Sequence, residues 1–203
     1  MDNRPLRKDA ERNRRRILDA ADAVFAAEGL GATLESIAEK ADVSIGTLYR
    51  RFPTREALVE ALFEEKVDRI LGWAAAGLEN PDPWAGFTSY LWNTAASHAE
   101  DQGLGEVLMG SGLAQRKIED LREKIVPLVT ELVARAQAGG RLRQDFAPQD
   151  VPMLMCMVGA VARRAPGSWR RYLELLIEGL QGEAPLTVMP PTFSEAAGVF
   201  NRC

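Results

Sequence analysis

Histidine and cysteine are nearly missing from this chain. One histidine, His98, and two cysteines, Cys156 and Cys203, among 203 residues leave no cluster with metal-ligand spacing and no disulfide framework. A zinc site and a cysteine or histidine catalytic dyad therefore lack a donor set, and no metal or cofactor is expected. No apolar run approaches the roughly 20 residues that span a bilayer, and the arginine-rich start lacks the apolar stretch of a secretory signal. The expectation is a soluble, cytoplasmic chain without a membrane partner. Paired carboxylates in an apolar setting, a glycine-rich phosphate loop and a nucleophile elbow are also lacking, which leaves a helical enzyme with nothing to work with.

What is present is an ordinary globular composition, 46% hydrophobic and 27% charged, enough for one sizeable core or two small ones. The net charge of −4 conceals a polarity. Residues 1–55 hold 11 basic and 9 acidic side chains, and residues 56–203 hold 14 and 20. Seven basic residues crowd between Arg4 and Arg16 against only Asp9 and Glu11, and the stretch from Ser44 to Arg55 carries Arg50, Arg51 and Arg55 with no acid. Two basic spots on an acidic protein suit a localised polyanion contact; the other reading of them is a solvated face.

Every long periodic stretch has helical spacing, and none alternates as a strand would. The expected fold is all-α. A first helix from about Asp9 to Glu28 buries Ile17, Leu18, Ala21, Val24 and Phe25 and stops at Gly29. Thr33 caps a short second helix that buries Leu34, Ile37, Ala38 and Ala41. Ser44 caps a third, Ile45 to Phe52, and Thr54 caps a long fourth that fades at Gly77. Beyond a proline-punctuated connector, Glu79 to Pro83, helices are expected at about Trp84–Glu100, Leu104–Gly110, Gln115–Ala138 with Pro127 as kink or break, Pro148–Arg163 and Ser168–Leu180. The expected division is a compact N-terminal unit at 1–55 with a basic arm, a second helical bundle at 56–181, and an irregular or disordered tail at 182–203.

Two short helices joined by a turn of three or four residues make a helix-turn-helix, here Leu34 to Ala41 followed by Ile45 to Phe52. Ala38 and Ala41 allow close crossing. The second helix opens with Ser44, Ile45, Gly46 and Thr47, slim enough for its backbone to sink into a major groove about 12 Å wide. Tyr49 offers a hydroxyl, and Arg50, Arg51 and Arg55 offer charge, where flanking phosphates would pass.

These residues resemble the tetracycline-repressor (TetR) family of bacterial transcriptional regulators. The resemblance rests on Arg16-Ile17-Leu18-Asp19-Ala20-Ala21 with Phe25 and Glu28-Gly29, then Thr33-Leu34-Glu35-Ser36-Ile37-Ala38 with Ala41 and Val43-Ser44. It is completed by Gly46-Thr47-Leu48-Tyr49, Phe52-Pro53-Thr54 and Arg55-Glu56-Ala57-Leu58, and covers about residues 9 to 62. It implies a three-helix DNA-binding domain, a fourth helix leading to a helical C-terminal domain, a homodimer on a palindromic double-stranded operator, and repression relieved by a small-molecule effector. By position it places Ser44, Ile45, Gly46 and Thr47 at bases or adjacent phosphates, Tyr49, Arg51 and Arg55 on the DNA backbone, and Thr33 at a phosphate near the second helix's start. Asp42 stands where the family often has Gly, and Arg51 where many members have His. Asp tolerates the left-handed turn that the position needs. The basic extension either reaches the neighbouring minor groove or only raises nonspecific affinity.

Past residue 62 the likeness weakens, although Leu132-Val133-Ala134-Arg135-Ala136-Gln137, Leu142-Arg143, Asp145, Arg171-Tyr172-Leu173 and Glu178-Gly179-Leu180 are similar to the C-terminal half of many actinobacterial-type members. In those, the last two helices pair across the dyad. The corresponding dimer candidates are Met157, Val158 and Val161 on one helix and Leu173, Leu176, Ile177 and Leu180 on the other, each also suited to intrachain core. Trp73, Phe87, Leu91, Trp92, His98, Met109, Met153 and Cys156 are candidates for an apolar ligand site between the fourth helix and those that follow. The rival to a DNA-binding regulator is a dimeric ligand-binding or protein-interaction module whose helix-turn-helix has lost DNA affinity. It would show acids near Tyr49, and Ser44 to Arg55 has none.

Overall fold

The computed structural model describes residues 4–100, 107, 114–192 and 194–196, with side chains from residue 11 onward apart from 114 and 115. Eight α-helices and no strand occur among the described residues: α1 (Arg4–Glu28), α2 (Leu34–Lys40), α3 (Ile45–Arg51), α4 (Arg55–Glu79), α5 (Pro83–Glu100), α6 (Ala114–Ala138), α7 (Asp150–Arg164) and α8 (Trp169–Gly179). The helix expected near Leu104–Gly110 lies, except for Val107, outside the described residues. They form two compact units: 4–66 with 107 and 114–116, and 67–100 with 117–192 and 194–196. The chain passes from one to the other inside α4, between Lys66 and Val67.

In the first unit, α1 begins at Arg4 rather than at Asp9. Arginine, lysine, alanine and glutamate are good helix formers, and Pro5 falls in the first turn, where its missing N–H costs nothing. The helix ends where Gly29 takes a φ of +55°, and a single 3₁₀ turn follows, Gly29–Gly31. Ile17, Leu18, Phe25, Ile37, Leu48, Leu58 and Val59 are almost wholly buried and hold α1, α2, α3 and the start of α4 together. Each such side chain contributes about 1.5–3 kcal/mol on burial.

In the second unit, α5 packs on α7 and α8. Asp82 caps α5, its Oδ1 accepting from the Trp84 N–H at 2.9 Å and the Ala85 N–H at 3.2 Å, with Pro83 at the first helical position. Helices α4 and α5 approach backbone to backbone at Gly77 and Gly86. A Cβ on Gly86 would lie 2.2 Å from the Gly77 carbonyl oxygen, so both glycines are needed there. Helix α6 runs unbroken through Pro127; the ring is exposed, which spares the core, and the loss is one backbone hydrogen bond. Cys156, buried in α7, is disulfide-bonded, which two cysteines making a poor framework in the sequence did not announce.

The segment after α8 is irregular as far as Pro191, yet it is tied down. Arg143 and Asp145 form an ion pair; Arg143 Nη2 donates to the Ala184 carbonyl at 2.7 Å, and Asp145 Oδ2 accepts from the Leu186 N–H at 2.6 Å. Arg143's hydrogen bonds and the Leu186 N–H together pull the Asp145 carboxyl down to about 2. Thr192 and Glu195 then cap one helical turn that buries Ala196.

Candidate nucleic-acid interface

Local capping builds this site. Thr33 Oγ1 accepts from the Ser36 N–H at 3.1 Å while the Thr33 N–H donates to Ser36 Oγ at 3.3 Å, a capping box that fixes where α2 begins. Ala38 and Ala41 are buried at its far end. Asp42 turns the chain with a φ of +50°, the conformation the sequence assigned to it. Arg16 locks the turn from α1, its Nη2 donating to Asp42 Oδ2 at 2.8 Å and to the Asp42 carbonyl at 3.2 Å. Ser44 then caps α3, its Oγ accepting from the Thr47 N–H at 3.2 Å and lying 2.8 Å from the Thr47 hydroxyl.

Leu48, fully buried, anchors α3 and sends the opposite face outward. Ser44, Ile45, Gly46, Tyr49, Arg50 and Arg51 are exposed, and Thr47 is half-buried. A Cβ at Gly46 would meet nothing within 4 Å, so this tip is not walled in. Thr47, Arg50 and Arg51 share a shallow groove with Asn13, Arg14 and Ile17 of α1. The face carries no carboxylate.

Arg55 is placed differently from its fellows. It leans back under the unit, donating to the Ala32 carbonyl and, at 3.2 Å, to the Leu30 carbonyl, with its guanidinium 5.4 Å from the centre of the Phe25 ring. Its described contacts are therefore structural props for the turn before α2, and a sequence that lists arginines by charge cannot separate it from Arg50. Arg14 pairs with Glu65 at 3.3 Å. Sequence reasoning counted Arg14 in the basic extension and missed Asn13; only the fold sets the two beside Thr47, Arg50 and Arg51.

The other candidate residues scatter. Phe87 and Leu91 are fully buried core, Trp73 is packed against that core, and Trp92 packs on Trp169 at 6.1 Å. His98 lies where a Cβ on Gly159 would be 2.9 Å from its ring, Met153 is half-buried, the Cys156 sulfur is in a disulfide, and Met109 lies outside the described residues. None of the described ones lines the apolar cavity of about 140 Å³ in the second unit, whose wall includes Ile70, Tyr90, Thr94, Val129, Gln149 and Met155. Among the dimer candidates, Val158, Leu173 and Ile177 are buried within the chain as members of the second unit's core cluster and leave little area for a partner. Met157 is exposed and Val161, Leu176 and Leu180 are half-buried, with Tyr172 and Leu175 also exposed on α8.

Comparison with known proteins agrees with this geometry. Residues 17–62 match the family of bacterial regulatory proteins of the tetR type, and residues 82–182 match the C-terminal domain of SbtR-like transcriptional regulators. A TetR transcription regulatory protein from Mycobacterium vanbaalenii superposes with a TM-score of 0.66 at 34% identity, over 88% of this chain and 100% of that one. The transcriptional regulator UidR of Escherichia coli is 26% identical over 153 residues, 73% of this chain and 75% of its own. The repressor KstR of Mycolicibacterium smegmatis is 42% identical over 67 residues, 32% of this chain and 33% of its own. The fold and the open recognition helix define a DNA-binding transcriptional regulator. The chain belongs to the TetR family. Among the described residues no helix is long and apolar enough to cross a membrane.

Proposed function

We propose that this regulator is a ligand-responsive repressor that binds a palindromic operator as a homodimer. The observation that carries the reading is the exposed, acid-free opening of α3, with space around Gly46 for a groove wall. Ser44, Ile45, Gly46 and Thr47 meet base edges or adjacent phosphates, and Tyr49, Arg50 and Arg51 hold the backbone, with Thr33 at a phosphate near the start of α2. Repression is the mode of KstR, whose similarity to this chain spans 67 residues.

Pairing uses the outward sides of α7 and α8. Met157, Val161, Tyr172, Leu175, Leu176 and Leu180 present apolar surface there, which a second copy would cover. A two-fold dimer sets its recognition helices about one DNA turn apart, so the operator should be a palindrome. The effector enters the cavity in the second unit, and α4 carries the response because Ile70 of that helix stands on the cavity wall. An effector changes DNA affinity only as far as it prefers one conformation.

Selection of bound sequences from random duplex DNA with the purified chain tests this reading. Enrichment of an inverted repeat supports it. Absence of enrichment would favour the interaction module without DNA affinity.

A further inference from the structure

We infer that the cavity takes a neutral, single-ring-sized apolar compound bearing one hydroxyl group, with that group held by Thr94 and Gln149. The inference rests on the proposed ligand response and names the chemistry of the ligand. The cavity, about 140 Å³, is close to the volume in which an engineered apolar cavity holds benzene. Its wall is almost wholly hydrocarbon, and two of the residues that form it, Thr94 and Gln149, stand out for a buried polar atom. Thr94 Oγ1 and Gln149 Oε1 are each buried without a hydrogen-bond partner, and Thr94 is only 9% exposed. The Thr94 hydroxyl lies near enough to the Tyr90 phenol to offset slightly the burial that pushes it up to about 12, but it does not reach hydrogen-bonding geometry. Buried polar groups are nearly always paired, and an unpaired one costs stability.

The donor and acceptor inventory narrows the partner. Gln149 Oε1 only accepts, so the ligand must donate to it; Thr94 Oγ1 does both. A hydroxyl supplies a donor and an acceptor from one atom, which an ether, a halide or a plain hydrocarbon does not. Charge is disfavoured. The ionisable side chains described on the wall are Tyr90, neutral below its raised pKa, and Arg122, already beside Glu119 at 3.6 Å. A ligand carboxylate would compete with an acid in place and lose its hydration to a hydrocarbon wall.

The test titrates the full chain with phenol, toluene and benzoate by calorimetry, in the wild type and in Thr94→Val, Gln149→Leu and the double variant. The result to compare is the ratio of phenol to toluene affinity, in which the variants' effects on packing largely cancel. The expected outcome is that phenol binds better than benzoate and that the ratio falls about tenfold in the double variant, roughly 1.4 kcal/mol. Thr94→Ser retains the ratio. Thr94→Val and Gln149→Leu remove unpaired polar atoms, so unliganded Tm should hold or rise by a few degrees. A ratio that does not move, a preference for benzoate, or no saturable binding of phenol overturns the inference. DNA affinity is read separately: phenol bound at this ratio with DNA affinity unchanged supports the ligand chemistry and sinks the proposed ligand response, whereas DNA release by benzoate alone sinks the ligand chemistry and keeps the response.

Discussion

The DNA-facing surface and the cavity are assembled from the chain in opposite ways. Thr33 to Arg51 supply the first almost alone, through caps and turns that bond residues two to five apart. The cavity wall takes Ile70, Tyr90, Thr94, Val129, Gln149, Met155 and Ala196 from α4, α5, α6, the turn before α7, α7 itself and the segment beyond α8. A site made by local bonds tolerates change in the rest of the core, and its open side chains are set by which neighbour is buried. A site made by packing depends on every helix that walls it, and its polar atoms can stay unpaired because packing elsewhere holds them in place.

The sharpest break between the two regions should come from glycines. Gly86→Ala forces a Cβ against the Gly77 carbonyl and should cost about 3 kcal/mol, lowering Tm by about 10 °C in thermal unfolding. Gly72→Ala, on α4 about one and a half turns before Gly77 and with nothing within 4 Å, should instead stabilise by about 0.5–1 kcal/mol. Equal shifts for the two would remove the close helix approach from the account.

Within the first unit, Arg55→Ala separates propping from reading. It loses two carbonyl bonds and the Phe25 contact and should lower stability by about 1–2 kcal/mol in denaturant unfolding. Arg50→Ala should leave Tm alone, weaken DNA binding, and reduce the slope of log affinity against log salt by about 1, measured by anisotropy at several salt concentrations. A fall in Tm with Arg50→Ala, or none with Arg55→Ala, would reverse the two roles.

The smallest effect is a pH dependence in the second unit. Because folding lowers the Asp145 pKa to about 2 from an ordinary value of 3.8, its contribution is fully present above about pH 4 and is lost as pH falls through about 2. Asp145→Asn should therefore lower Tm at pH 6, with the gap to wild type closing toward pH 2. A gap that is constant with pH would assign the tie to the amide-tolerant hydrogen bonds alone.

Much of the first unit was legible because its signals are short-range. Gly29, Thr33, Asp42 and Ser44 each fix a backbone turn by their own chemistry, and Leu48 fixes which face of α3 looks outward. The helices of the second unit could be placed within a few residues by apolar spacing, but their partners could not. Phe87 and Leu91 have the apolar character of a pocket wall and are core, whereas Thr94 and Gln149 have no special spacing and face the cavity. Arg55's tie into the first unit was hidden for the same reason, since its partners on Leu30 and Ala32 are main-chain carbonyls that no side-chain pattern announces.

The central claim is that the slim opening of α3 enters the groove, and Gly46→Glu tests it most directly. Glutamate favours the helix more than glycine does and meets no neighbour there, so Tm should hold or rise slightly. Affinity for the selected duplex, measured by fluorescence anisotropy, should fall on the order of 100-fold, about 3 kcal/mol, because bulk and negative charge would face the bases and phosphates. An affinity within twofold of wild type at unchanged Tm would contradict the account.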